Sequence, residues 1–359
     1  MMKRFSIVFL CLAFAVGAAV AADVAAGLKS GSPDLKSAGP LAFAPEGVLL
    51  VGDPVGAAIF AIDTGDRTRP GTIAAVNVDG IGDKLAGMLG TTPQELLIND
   101  MAVNPVSGKV YLSVSRGKGP AALPVLARVE PGGKIEILPL ENVKFAKAGL
   151  PNPPTAERQR MESITDMAYV DNRVFVAGLS NEEFASRFRA IPFPFKDADV
   201  GTSVEIYHGS HGQLETRSPI RTFASYQIKQ ESYLLAAYTC TPLVKLPVAE
   251  LRPGAHVKGT TVAELGNRNR PLDMVVFKKD GKDYILMANS SRGVMKITTD
   301  NIDKIDAITA RVANTAGLTY ETVESLKGVQ QLDRLDDSRA LILIQAESGS
   351  LNLQTIPLP

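Results

Sequence analysis

Three stretches of the chain open alike: Asn99-Asp100-Met101-Ala102-Val103, Thr165-Asp166-Met167-Ala168-Tyr169 and Leu272-Asp273-Met274-Val275-Val276. Each starts an alternating apolar run, passes a polar turn and enters a second apolar run, the pattern of paired strands with one buried face. The turns are Asn104-Pro105-Val106-Ser107-Gly108, Asp171-Asn172 and Lys279-Asp280-Gly281. Asp, Asn and Gly there supply the backbone conformations that a tight hairpin needs. Fainter copies follow the same spacing. Thr222 lies eleven residues before Tyr233, as Asp100 does before Tyr111 and Asp273 before Tyr284. A C-terminal copy runs from Leu332-Asp333 into Leu341-Ile342-Leu343-Ile344, and a first copy, lacking the Asp, runs from Leu41 through Gly47 into Val48-Leu49-Leu50-Val51. That makes six.

A third strand follows in each copy, at Ala58 to Ile62, Val125 to Val129, Val204 to Tyr207, Leu243 to Leu246, Val294 to Ile297 and Leu351 to Thr355. Most copies continue to a fourth, and the anchors repeat about every 58 residues, the length of a four-stranded propeller blade with inserted loops. The expected fold is therefore all-β, a six-bladed β-propeller over residues 23–359, with an irregular seventh blade as the alternative count. The last copy ends without a fourth strand, and Ala26 to Lys36 are placed there to close the ring and cover its edge. Short helices are expected at Gly82 to Leu89 with Thr92 to Leu96, and at Thr309 to Leu326. A two-domain α/β protein would need longer amphipathic helices between the strands.

Composition narrows the function. Lys plus Arg and Asp plus Glu both number 38, which removes the positive field that gathers nucleic acid. Three His and two Cys argue against zinc clusters and disulfide frameworks. Residues 1–22 read as a secretory signal peptide: Lys3 and Arg4, the apolar run Phe5 to Val16, then Val20-Ala21-Ala22. An exported monomer, periplasmic or extracellular, is expected, with no later segment apolar enough to span a membrane.

Blade length and the Asp-Met-Ala strand opening resemble six-bladed propellers of the NHL and SMP-30/gluconolactonase type. The absence of Trp argues against WD, kelch, Asp-box and quinoprotein propellers, whose blade motifs use it. The gluconolactonase resemblance implies a metal at the centre of one rim, where a cation activates substrate. No residue-by-residue ligand set carries over.

In a propeller the first strand of each blade lines the channel, so Asp100, Asp166, Asp273 and Asp333 are expected at equivalent positions around one rim. Converging carboxylates could hold a hard cation such as calcium, with Asp166 or Asp273 as ligand or general base. The alternative is that each Asp accepts backbone N–H bonds from the neighbouring blade, which recurrence in several blades favours. The loops on the same rim offer Arg116, Arg268, Arg270, Asn289, Ser291, Arg292 and Cys240 for a small polar ligand or a protein partner; guanidinium forks suit carboxylate or sulfate. Cys240 is either a semi-buried small residue or a nucleophile or soft-metal ligand. His208 and His211 read as part of a Gly-rich hairpin on the face away from the rim, short of a third ligand. No Gly-x-Ser-x-Gly elbow, phosphate-binding loop or haem motif occurs. The first reading is a non-catalytic ligand-binding propeller; the second is a divalent-metal hydrolase or lactonase.

Overall fold

The computed structural model describes residues 27–195, 198–240 and 242–359. The expected leader at 1–22 lies outside the described residues. Six sheets, antiparallel except where His256–Lys258 runs parallel to Thr202–His208, stand side by side, each beginning with an inner strand: Leu41–Ala44, Leu96–Val103, Asp166–Val170, Ile220–Ile228, Pro271–Lys279 and Val329–Arg334. We number these blades I to VI in chain order. The chain is an all-β, six-bladed β-propeller.

The second strand of each blade carries the core. Val48–Asp53 is buried at every position, and Arg173–Leu179 at all but its first. These strands are apolar at nearly every position because both sheet faces meet a neighbouring blade, which removes the usual polar-out alternation. Two expected hairpins have the left-handed turn geometry their residues suggest, with φ 48° and 58° at Asp171 and Asn172, and 50° and 78° at Asp280 and Gly281.

The blades do not follow one another around the ring in chain order. Apolar clusters join I to III, III to IV, IV to V, V to VI and VI to II, and a further cluster joins II back to I. The circle reads I–III–IV–V–VI–II. Blade II sits between the last blade and the first, and the chain returns from it to lay Val143–Gly149 on blade I as that blade's fourth strand. Lys29–Gly31 then pairs with Val143–Gly149 on the outside. The expected closure by Ala26 to Lys36 on the last blade is therefore corrected. The outer edge of blade VI is met instead by the linker between blades I and II, where Val78 bridges Leu353 and Val76 N–H donates to Thr355 Oγ1.

Two further expectations change. The third strand of blade III is Ser186–Pro192, and Val204 to Tyr207 belong to its fourth strand, Thr202–His208. The Phe-rich segment Arg187 to Phe195 masked this strand because its Pro residues read as loop. Of the expected helices, Ile81–Met88 forms, whereas Thr309 to Leu326 instead holds two short edge strands, Thr315–Gly317 and Tyr320–Thr322, and one turn at Glu324–Leu326. Gly317 at φ 75° and the Thr residues around it oppose a helix.

Gly178 marks a close approach of two backbones. A Cβ there would lie 2.0 Å from the Ser163 carbonyl oxygen. That loop cannot withdraw easily, since Leu179 N–H donates to Glu162 O at 2.7 Å and Ser163 Oγ donates to Pro54 O at 3.0 Å. Gly178→Ala is expected to cost about 3 kcal/mol, the upper part of the overpacking range. A urea midpoint unchanged from wild type would contradict this.

Candidate functional site

A β-bulge interrupts the inner strand of four blades, between Ile98 and Asp100, Ile220 and Thr222, Pro271 and Asp273, and Val329 and Gln331. Bulges re-aim the residue that follows them. The residue after the bulge is Asp100, Thr222, Asp273 or Gln331, and blade III starts its strand with Asp166. Asp333 is not at the equivalent position: Gln331 is, and Asp333 lies two residues further along the same strand. In ring order, Asp100, Asp166 and Asp273 thus occupy alternate blades.

All four carboxylates grip the next blade around the circle. Leu41 N–H donates to Asp100 Oδ2 at 2.6 Å, and Phe223 N–H to Asp166 Oδ2 at 2.7 Å. Leu332 N–H donates to Asp273 Oδ2 at 2.9 Å, and Val103 N–H to Asp333 Oδ2 at 2.7 Å. The Oδ1 atoms of Asp166, Asp273 and Asp333 accept the N–H of Met167, Met274 and Arg334. These groups are half-buried along the channel. Burial, opposed by the Leu41 N–H and reinforced by Asp166 and Asp333, pushes Asp100 up to about 8. Burial likewise raises Asp166 to about 7 and Asp333 to about 6 against their N–H donors, and it raises Asp273 with Asp100 adding repulsion.

The Asp ring separates two chambers of the channel. One, of about 580 Å³, is lined largely by inner-strand residues, among them Phe43, Met101 and Tyr169. The other, of about 490 Å³, is polar and includes Asn99, Thr165, Arg221, Arg270, Gln330 and Gln331. Thr165 Oγ1 and Gln331 Oε1 are buried there without a hydrogen-bond partner. Arg221 is held by Glu162 at 2.8 Å and donates to Thr239 Oγ1 at 3.0 Å. Burial, then Arg221, lowers the Arg270 pKa, which Glu162 partly restores.

Of the rim residues expected from sequence, Arg270 alone lines this chamber. Arg268, Asn289, Ser291 and Arg292 gather beside it and shape the loop: Asn289 Nδ2 donates to Asn269 Oδ1, Ser291 Oγ to Arg268 O, and Arg292 Nη2 to Asn267 O. Arg116 is exposed at the end of the second strand of blade II. Thr165 and Gln331 were missed by sequence reasoning. Thr165 immediately precedes a ring Asp, and Gln331 takes in blade VI the place that Asp100 and Asp273 hold in theirs, so no residue-type signal marked either one.

Cys240 lies in the rim-side turn after Glu231–Tyr238, with φ 62° and its N–H donating to Asn269 O at 2.8 Å. His208 and His211 are not on the opposite face. Since Ser186–Pro192 is the third strand of blade III, Thr202–His208 runs back toward the rim, and its turn arrives beside Cys240. Among the described residues, one donor atom from each of His208, His211 and Cys240 falls within 4.8 Å of the others. The channel carboxylates form no such group. Glu215 accepts from both rings, at 3.0 Å from His208 Nδ1 and 2.5 Å from His211 Nδ1. Burial opposes its charge, but His208, Ser218 and His211 together bring it down to about 2.

No protein-family model matches this sequence, and no curated protein matches it. Similar solved structures include the PQQ-bound aldose sugar dehydrogenase of Streptomyces coelicolor, at 13% identity and TM-score 0.36 over 91% of this chain and 97% of that one. An oxidoreductase described as a glucose dehydrogenase from Thermus thermophilus is 13% identical, with TM-score 0.38 over 92% and 100%. An engineered GH43 glycoside hydrolase is 10% identical, with TM-score 0.36 over 72% and 52%. The six-bladed fold rests on the strand pairing described above. At such identities these neighbours carry no ligand or reaction to this chain.

Proposed function

We propose that this protein is an exported propeller that binds a small polar anion in the polar chamber of its channel. The observation that carries this reading is the pairing of Arg270, which forms no salt bridge among the described residues and feels Glu162 only at longer range, with two buried unsatisfied oxygens, Thr165 Oγ1 and Gln331 Oε1. An unpaired buried acceptor costs about 1–3 kcal/mol, which a ligand donor would return. A carboxylate or sulfate would face Arg270 and Arg221, and ligand hydroxyl or amide hydrogens would face Gln331 and Thr165. The rim-cation hydrolase reading, with calcium on Asp100, Asp166, Asp273 and Asp333, is less favoured because each of these carboxylates already serves a backbone N–H of the next blade and no metal-spaced donor group forms among them.

The test is a thermal-shift screen of hydroxy-carboxylates, sugar acids and sulfated sugars, repeated with calcium and with EDTA. A ligand present at 100 times its Kd stabilises by about 2.7 kcal/mol. Arg270→Met is expected to abolish the shift, and Arg116→Met to leave it intact. A shift produced by calcium alone and lost in Asp273→Asn would favour the hydrolase reading instead.

A further inference from the structure

We propose that His208, His211 and Cys240 form a binding site for one late first-row transition-metal ion, zinc or copper, with one coordination position left open to solvent. The site lies between the outer part of blade III and the rim turn of blade IV, and it is independent of the channel reading.

Four observations converge on it. The three donor atoms already lie within 4.8 Å of one another, so a small inward movement would bring each to the roughly 2.0–2.3 Å of a metal bond. Glu215 occupies the Nδ1 side of both rings, which turns each Nε2 outward as a free lone pair. A carboxylate behind a histidine is the usual support of a metal-bound imidazole, fixing tautomer and ring orientation. His208 is 2% exposed, and its Nε2 is buried without a partner. Hydrogen bonding within the protein leaves that atom unsatisfied, whereas a metal ion would satisfy it. Finally, Cys240 keeps a left-handed φ of 62°, a conformation that glycine or asparagine would adopt at less cost, so the turn holds a thiol against local strain.

The donor set selects the ion. Two imidazoles and a thiolate suit zinc and copper, and they do not suit calcium or magnesium, which take oxygen ligands. The side chain of His211 is 48% exposed, which gives the ion a route in and leaves room for a water or an exchangeable ligand beside it.

The experiment uses the folded full-length chain, stripped with chelator and reduced, and titrated with cobalt(II) under anaerobic conditions. One equivalent is expected to produce an intense near-ultraviolet thiolate-to-cobalt band. Zinc in competition should bleach it, and zinc should also slow the reaction of Cys240 with a thiol reagent. Copper(II) producing an intense visible thiolate band would identify the copper form of the same site. Cys240→Ser should remove the band, and Glu215→Gln should keep it with affinity about 10–100-fold weaker. The wild-type readings do not depend on any variant folding. No charge-transfer band with either metal, a band that survives Cys240→Ser, or metal binding unaffected by His211→Ala would each overturn the proposal.

Discussion

Asp273→Ala is expected to destabilise the fold by about 3 kcal/mol, while Asp337→Ala changes it by less than about 0.5 kcal/mol. The Asp273 carboxylate accepts the N–H of Met274 in its own blade and of Leu332 in the next. Leu332 is 2% exposed, so truncation strands its N–H away from water. Each stranded donor costs about 1–3 kcal/mol, and relief from burying a repelled carboxylate offsets part of the total. Asp337 differs in having a fully exposed side chain. Urea denaturation of both variants is the check. Equal midpoints would mean that the ring carboxylates do not join the blades.

The second expectation is that stability falls as pH rises from about 5 to 8. Folded Asp100, Asp166 and Asp333 keep their protons up to about 8, 7 and 6, and Asp273 is raised as well. Unfolded, these groups lose their protons near 3.8. Between these limits the folded protein binds more protons than the unfolded chain, so each such proton lowers unfolding free energy by about 1.4 kcal/mol per pH unit. Glu136, Glu215 and Asp336 act in the opposite sense: lowered to about 2, they contribute stability above about pH 4.5 that is lost as the pH falls toward 2. Maximum stability is therefore expected near pH 4. Melting temperatures across pH 4–8 test this, and Asp100→Asn should flatten the alkaline limb. A melting temperature that climbs steadily from pH 5 to pH 8 would refute it.

Residues that repeat were legible in the sequence, and residues set by blade order were not. The Asp-Met-Ala openings, the Asp171-Asn172 and Asp280-Gly281 turns and the apolar second strands report local geometry, which recurs with the repeat. The partner of Asp100 is Leu41 of the preceding copy, whereas the partner of Asp333 is Val103, some 230 positions away. Asp333 is followed by Arg334-Leu335 rather than by the Met-Ala or Met-Val of the other three, but nothing local to it names Val103 as its partner. The same limit hid the approach of His208 to Cys240. It depended on assigning Ser186–Pro192 as a strand despite its Pro192 and the Pro194 that follows, and one missed strand reverses the face on which the later turns of the same blade emerge.

The displaced position of blade II bears on how such a chain can change over generations. In a ring whose blades follow one another in order, duplicating or deleting one unit of sequence adds or removes one whole blade. Here blade I is completed by Val143–Gly149, which follows blade II in the chain, and blade VI is bordered by Val78, which precedes blade II. A deletion covering residues 96–137 alone would leave two severed neighbours rather than a five-membered ring. Blades I and II can be gained or lost only together with the segments that thread between them, and blades III and IV each carry one edge strand lent by the next copy, His256–Lys258 and Thr315–Gly317, so whole-unit copying would strip an edge there as well.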